Sequence, residues 1–211
     1  EGLKDKVIVH YDEQLIPHIF AENDLDLYRA QGYITAKHRL WQMEFQTFAA
    51  GGRLSEIIGE KALNFDRTQR RKGMVFGAER ALKKMGEDPE MITFLEAYRD
   101  GVNSYINHLK PKDFPIEYKL LDYAPEPWTT TKTALLLMYM TDDLSGRDYD
   151  LEFTNALLLF GDERFNLLYP DFFDVNDPII PKDTDWSDIN VKITETPESG
   201  IILDSVAETI E

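Results

Sequence analysis

Gln31-Gly32-Tyr33-Ile34-Thr35-Ala36-Lys37-His38-Arg39-Leu40-Trp41-Gln42-Met43-Glu44 lies inside the longest helical pattern of the chain, and Gly52-Arg53-Leu54-Ser55-Glu56-Ile57-Ile58-Gly59 follows its end. Asn23 is a good N-cap for this helix, with Asp26 at the third helical position to reach back to the free amide. The pattern predicts a helix to about Ala50, stopped at Gly51-Gly52, where glycine takes the left-handed cap conformation. Leu27, Tyr28, Ile34, Leu40, Trp41, Phe45 and Phe48 cover more than one face of it. Such a helix is expected to be buried on several sides.

Upstream, Val7-Ile8-Val9-His10-Tyr11 and His18-Ile19-Phe20-Ala21 read as short strands joined by a connection of hairpin length. Downstream, a helical stretch is predicted over roughly Lys61 to Met85. Asp88 caps a clearer helix with Pro89 in its first turn, and Met91, Phe94, Leu95, Tyr98, Val102, Tyr105, Ile106 and Leu109 recur at helical spacing until Pro111. Thr129 to Thr131 can cap another helix through Leu135-Leu136-Leu137-Met138-Tyr139. A last one is expected from Leu151 to Phe160, ended by Gly161. From Phe172 onward periodicity fades, giving a division into a domain over 1–171 and an irregular extension over 172–211.

Helices therefore dominate, and the fold class is α+β and helix-rich. With 211 residues the chain fits one domain and can bury a core. Its 39 acidic against 23 basic residues give a net charge of −16, which repels phosphate backbones and anionic lipid. Nucleic acid and membrane partners are thus not expected. The longest apolar run, Ala134 to Met140, is far below the roughly 20 residues that span a bilayer. No cysteine is present, which excludes disulfides, thiolate catalysis and cysteine-ligated zinc.

No catalytic constellation can be assembled from spacing. His10, His18, His38 and His108 are scattered, and there is no nucleophile elbow or phosphate-binding glycine loop. Glu1 has neither hydroxyl nor thiol, so this chain is not expected to be its own N-terminal nucleophile. His18 after Pro17 reads as a local hydrogen-bonding residue, and His38 within its helix as a structural one. Arg39 with Glu44, and Arg53 with Glu56, read as helix-surface ion pairs worth a few tenths of a kcal/mol if exposed. Asp142, Asp143, Asp148, Asp150 and Glu152 form the one carboxylate cluster that could suit a hard cation. The spacing is not that of an EF-hand, and on composition alone a solvated loop is the better reading.

The two segments quoted first, with Asp12-Glu13-Gln14-Leu15-Ile16-Pro17-His18-Ile19, resemble the start of the α chain of the penicillin acylase family. Phe65-Asp66 with Arg70-Arg71, then Tyr98-Arg99-Asp100-Gly101-Val102-Asn103-Ser104-Tyr105-Ile106, Pro115-Ile116-Glu117-Tyr118 and Glu126-Pro127-Trp128-Thr129, continue the resemblance in order. It runs from about Lys4 to Tyr169. Leu15 departs from it, standing where glycine is usual, and so does His38, standing where aspartate is usual.

The resemblance implies an α subunit that wraps the αββα core of an N-terminal nucleophile hydrolase completed by a β chain from the same precursor. The nucleophile, the amino-terminal serine of that β chain, would lie outside this sequence, so no catalytic residue is expected here. The substrate would be a small acyl amide. Tyr139, Asp142, Asp143, Leu144 and Arg147 fall in the segment that would line the acyl pocket, with one aspartate facing solvent or paired with Arg147. Glu152 would supply one ligand to a calcium ion. The resemblance also implies export to the periplasm or secretion, with any signal peptide removed. An acyl-homoserine lactone acylase subunit and a non-catalytic calcium-binding or scaffolding protein are the alternatives.

Overall fold

In the computed structural model, the described residues are 2–145, 149–170, 183–185 and the backbone of 201–202. Strands β1 (Val7–Tyr11) and β2 (Pro17–Ala21) pair antiparallel, with Val7 opposite Ala21 and Tyr11 opposite Pro17. A short β3 (Ile201–Ile202) pairs antiparallel with the other edge of β1, giving the order β2-β1-β3. Alternation decides the buried face: Val7 and Val9 are fully buried against Ala30 and Ile34. The turn between β1 and β2 holds Leu15 at φ 62°, a left-handed conformation that a leucine rarely adopts.

Helix α1 (Asp24–Gly51) starts and stops where its signals predict. Asn23 Oδ1 accepts from the amide of Asp26, and Gly52 closes the C-terminus at φ 64°. Asp26 reaches further than a capping box requires. Its buried carboxylate accepts from the amides of Lys4 and Asp5 and from Asn23 Nδ2, so it ties the amino-terminal segment to the helix. Arg39 interrupts α1 with φ −139° and ψ 16°, a kink that the periodic pattern does not announce.

The stretch from 61 to 85 is broken into two helices, where the pattern predicted one. A short α2 (Ser55–Ile58) and a 3₁₀ turn precede α3 (Leu63–Lys72), and Gly73 at φ 73° separates it from α4 (Met74–Met85). Asp66 in α3 accepts from the amides of Leu54 and Ser55, and Arg70 Nε donates to the Gly52 carbonyl. The Phe65-Asp66 and Arg70 motif thus pins the chain after α1. Burial raises the Asp66 pKa, but those amides, the Ser55 hydroxyl and Arg70 outweigh it and hold the carboxylate below its usual range.

Helix α5 (Pro89–His108), capped by Asp88, crosses α1 with backbones nearly touching at Gly32 and Gly101. Asn103 clasps the backbone of Trp128 twice, donating to its carbonyl at 2.9 Å and accepting from its amide at 2.8 Å. Helix α6 (Ile116–Leu121) was not anticipated; it inserts Tyr118 into the core beside Leu40, Met43, Val102 and Trp128. Helix α7 (Thr130–Leu144) packs on α4 through Ala134, Leu135, Met74 and Ala78.

These elements belong to a unit of residues 1–144 and 196–211, and a smaller unit covers 145–195. The smaller unit contains α8 (Asp150–Leu168). Gly161 breaks it at φ 75°, as expected, but the chain re-enters helix afterwards. The two halves fold back, bringing Phe153 to within 5.9 Å of Phe165 and 5.0 Å of Tyr169 between ring centroids. The extension over 172–211 lies largely outside the described residues.

Candidate functional site

The pocket-lining segment expected from sequence occupies the carboxy-terminal turns of α7. Tyr139 is half-buried and packs toward two core clusters. Leu137, Met140 and Leu144 stand at helical spacing and are 47%, 44% and 75% exposed, so they form an uncovered apolar stripe. Asp143 is exposed, whereas Asp142 pairs with Lys72 at 2.6 Å. Asp143 thus faces solvent, one of the two expected alternatives, while α3 brings a lysine to Asp142 at this end of α7. Arg147 itself lies outside the described residues.

Glu152 sits exposed in the first turn of α8, without an ion-pair partner among the described residues. No group of three or more His, Asp or Glu side chains there could hold a metal. A calcium ion takes six to eight oxygen ligands, so Glu152 fits such an ion only as one contributor to a site completed elsewhere. Helix α8 has no buried residue, with Leu151, Leu158, Leu159 and Leu167 each more than three-quarters exposed.

Sequence reasoning missed the most developed polar network. Glu44 does not pair with Arg39 at the surface. It is 1% exposed, and its Oε1 accepts from the amide of Glu126 at 2.7 Å and from Lys132 Nζ at 3.4 Å. Lys132 also reaches Glu126 Oε2 at 3.1 Å, and Arg53 joins Glu126 at 2.7 Å and Glu56 at 2.7 Å. The Arg53–Glu56 pair is therefore borne out, as part of a chain of charges linking α1, α2 and α7. A lysine at position 132, close to the apolar run of its helix, was the available signal.

Burial pushes the Glu44 pKa up, opposed by Tyr118, Lys132 and the Glu126 amide. Glu126 is held down at about 2, first by Arg53 and then by Lys132. Burial and the neighbouring Glu44 raise Tyr118 far above the usual phenol range, and Tyr123 to about 12. Glu44 Oε2, Tyr118 Oη, Tyr123 Oη and Trp41 Nε1 are buried without a well-formed hydrogen bond among the described residues. This hub is a clamp in which the charges pair with one another across α1, α2 and α7. Arg53, Glu126 and Lys132 also line a groove of about 610 Å³ with Val75, Leu135 and Thr47.

The histidines behave as read. His18 Nε2 bonds Asp12 Oδ2 at 3.2 Å within its own turn, and His38 Nε2 bonds the Tyr11 hydroxyl at 2.9 Å. Among the described residues, no helix is long and apolar enough to cross a membrane.

The sequence profile of the penicillin amidase family matches residues 6–200. The chain is 40% identical over 127 residues to the penicillin acylase 2 proenzyme of Pseudomonas sp. (strain SE83), covering 60% of this chain and 16% of that protein. It is 29% identical over 187 residues to the acyl-homoserine lactone acylase QuiP of Pseudomonas fluorescens, covering 87% of this chain and 22% of that protein. The chain thus spans less than a quarter of the length of these curated relatives. A solved thermostable penicillin G acylase from Alcaligenes faecalis superimposes with a TM-score of 0.64 at 23% identity, covering 85% of this chain and 96% of that one, a likeness of fold.

Proposed function

This chain belongs to the penicillin amidase family, and from that premise we propose that it is the α subunit of an amidase that hydrolyses N-acyl amides. The nucleophile in this reading is the amino-terminal serine of a β chain cut from the same precursor, with its own α-amino group as general base. The two chains together build the αββα core, and the assembled protein works in the periplasm or outside the cell. The observation that carries the reading is the family match over residues 6–200, almost the whole chain.

The uncovered apolar stripe of Leu137, Met140 and Leu144 supports a role at the acyl pocket, because an amidase discriminates acyl groups largely by apolar fit. Tyr139, Asp142 and Asp143 complete that lining. Glu152 contributes one oxygen to a calcium ion, which would hold its neighbourhood against the β chain. Expression of the full precursor, followed by mass measurement of the mature chains and assay with phenylacetyl and octanoyl amides, tests the reading. A precursor that matures into two chains but hydrolyses neither class defeats the amidase assignment.

A second reading, an acyl-homoserine lactone acylase, is favoured by the 87% coverage of this chain by its match to QuiP. It predicts that N-octanoyl homoserine lactone is cleaved faster than phenylacetyl amides.

A further inference from the structure

Two grooves converge on the kink of α1. One of about 540 Å³ is lined by Gln14, Leu15, Ile16, Pro17 and Ile34, with Thr35, His38 and Arg39 at its other side. The second, of about 320 Å³, continues past Lys37, His38 and Arg39 to Trp41 and Pro115. The larger volume falls within the 300–1,000 Å³ usual for small-molecule sites. One wall is apolar and the other is cationic.

The cations here meet no neutralising carboxylate among the described residues. Lys37, His38 and Arg39 are exposed, and Lys37 and Arg39 have no ion-pair partner among the described residues, in a protein of net charge −16. Glu117 lines only the smaller groove and pairs with neither. Asp12, in the adjacent turn, has both oxygens engaged, by the amides of Gln14 and Ile16 and by His18. The groove beside Glu126 differs in this respect, since Arg53 and Lys132 there are both paired with carboxylates.

The apolar wall is set by an unfavourable backbone. Leu15 holds φ 62° yet is 76% exposed, and its neighbour Ile16 is 49% exposed. A strained residue that gains nothing from burial points to a use for its side chain. His38 is held by the Tyr11 hydroxyl, and burial followed by Lys37 and Arg39 lowers its pKa, which leaves Arg39 as the main charge at the groove.

We propose that the groove between the β1–β2 turn and the kink of α1 binds a small carboxylate with an apolar tail, its carboxylate on Arg39 and its tail along Leu15, Ile16 and Ile34. Guanidinium suits this headgroup because it presents paired donors to two oxygens. The site is separate from the acyl pocket and does not depend on the amidase reading.

The test is titration of the mature, assembled protein with carboxyl-labelled octanoate followed by NMR, alongside octanol and octylamine. Arg39→Ala should weaken octanoate binding at this site by at least tenfold, and Arg39→Lys by less. His38→Asp, which places a carboxylate beside Arg39, should weaken it as well. Leu15→Ser should weaken octanoate but not acetate. The kcat and KM for amide hydrolysis should be unchanged in Arg39→Ala, which separates this site from the acyl pocket. Octanoate affinity unchanged in both Arg39→Ala and His38→Asp overturns the proposal, as does equal binding of octanol. A protein that binds octanoate through Arg39 but cleaves no amide defeats the amidase reading and leaves this site standing.

Discussion

Gly101→Ala should destabilise the protein although alanine is the better helix former. An added Cβ would lie 1.9 Å from the Arg29 carbonyl oxygen, 2.8 Å from its carbon and 3.0 Å from the Tyr33 nitrogen. Carbon normally approaches a carbonyl oxygen no closer than about 3.3 Å, so α1 and α5 would have to part by more than 1 Å, to order of magnitude. Ala30, Ile34, Ala36, Ala97 and Val102 are all buried on these two helices, and parting them loosens that packing. Overpacking costs about 1–3 kcal/mol, and here the obstacle is backbone, so no rotamer change relieves it. Taking about 3 kcal/mol against the roughly 1 kcal/mol that alanine gains over glycine in a helix leaves a net loss of about 2 kcal/mol.

Gly77→Ala is the matched control. It also sits in a helix, but its Cβ would meet only Met138 Sδ at 3.4 Å, the end of a flexible side chain. It should stabilise by about 0.5–1 kcal/mol. The assay is amide hydrogen exchange across α1 and α5, because it reads the local opening of these two helices directly. Gly101→Ala should raise exchange in both helices, and Gly77→Ala should slow it in α4. Protection of α1 and α5 in Gly101→Ala equal to the parent would refute the close crossing.

Leu15→Gly should raise thermal stability by up to about 1 kcal/mol, since relief of the left-handed leucine outweighs the entropy of a new glycine; a lower melting temperature in calorimetry contradicts this. Lys132→Met should destabilise by about 3 kcal/mol, measured by urea unfolding, because it leaves buried Glu44 with an uncompensated charge; a neutral result would mean that Glu44 is protonated in the fold. Glu126 has a folded pKa of about 2, below its ordinary 4.5, so its contribution is present above about pH 4.5 and is lost as pH falls toward 2. Glu126→Gln should therefore flatten the loss of melting temperature in that window, and an unchanged acid slope would contradict the pairing with Arg53. Glu152→Ala should impair precursor maturation more than acyl preference, read by mass measurement and a substrate panel.

Local chemistry was enough to mark the hairpin, the two long helices and their caps. Asn23, Gly52, Asp88 and Pro89 act on backbone groups within a few residues, so the signals and the structures they cause are adjacent in the chain. The order of motifs was equally legible, and it pointed to the family that the residue-by-residue match bears out. What the chain could not announce was the meeting of distant residues. Glu44 looked like one half of a surface pair with Arg39, five positions away, and became a buried anion because α7 delivers Lys132 and the loop before it delivers Glu126. Asp142 found Lys72 on α3, and Arg39 meets no ion-pair partner among the described residues, at a kink that no proline or glycine marks. A carboxylate's partner is set by which helix packs beside it, and that choice is made by the shape of the whole core, at sequence separations where no local pattern carries information.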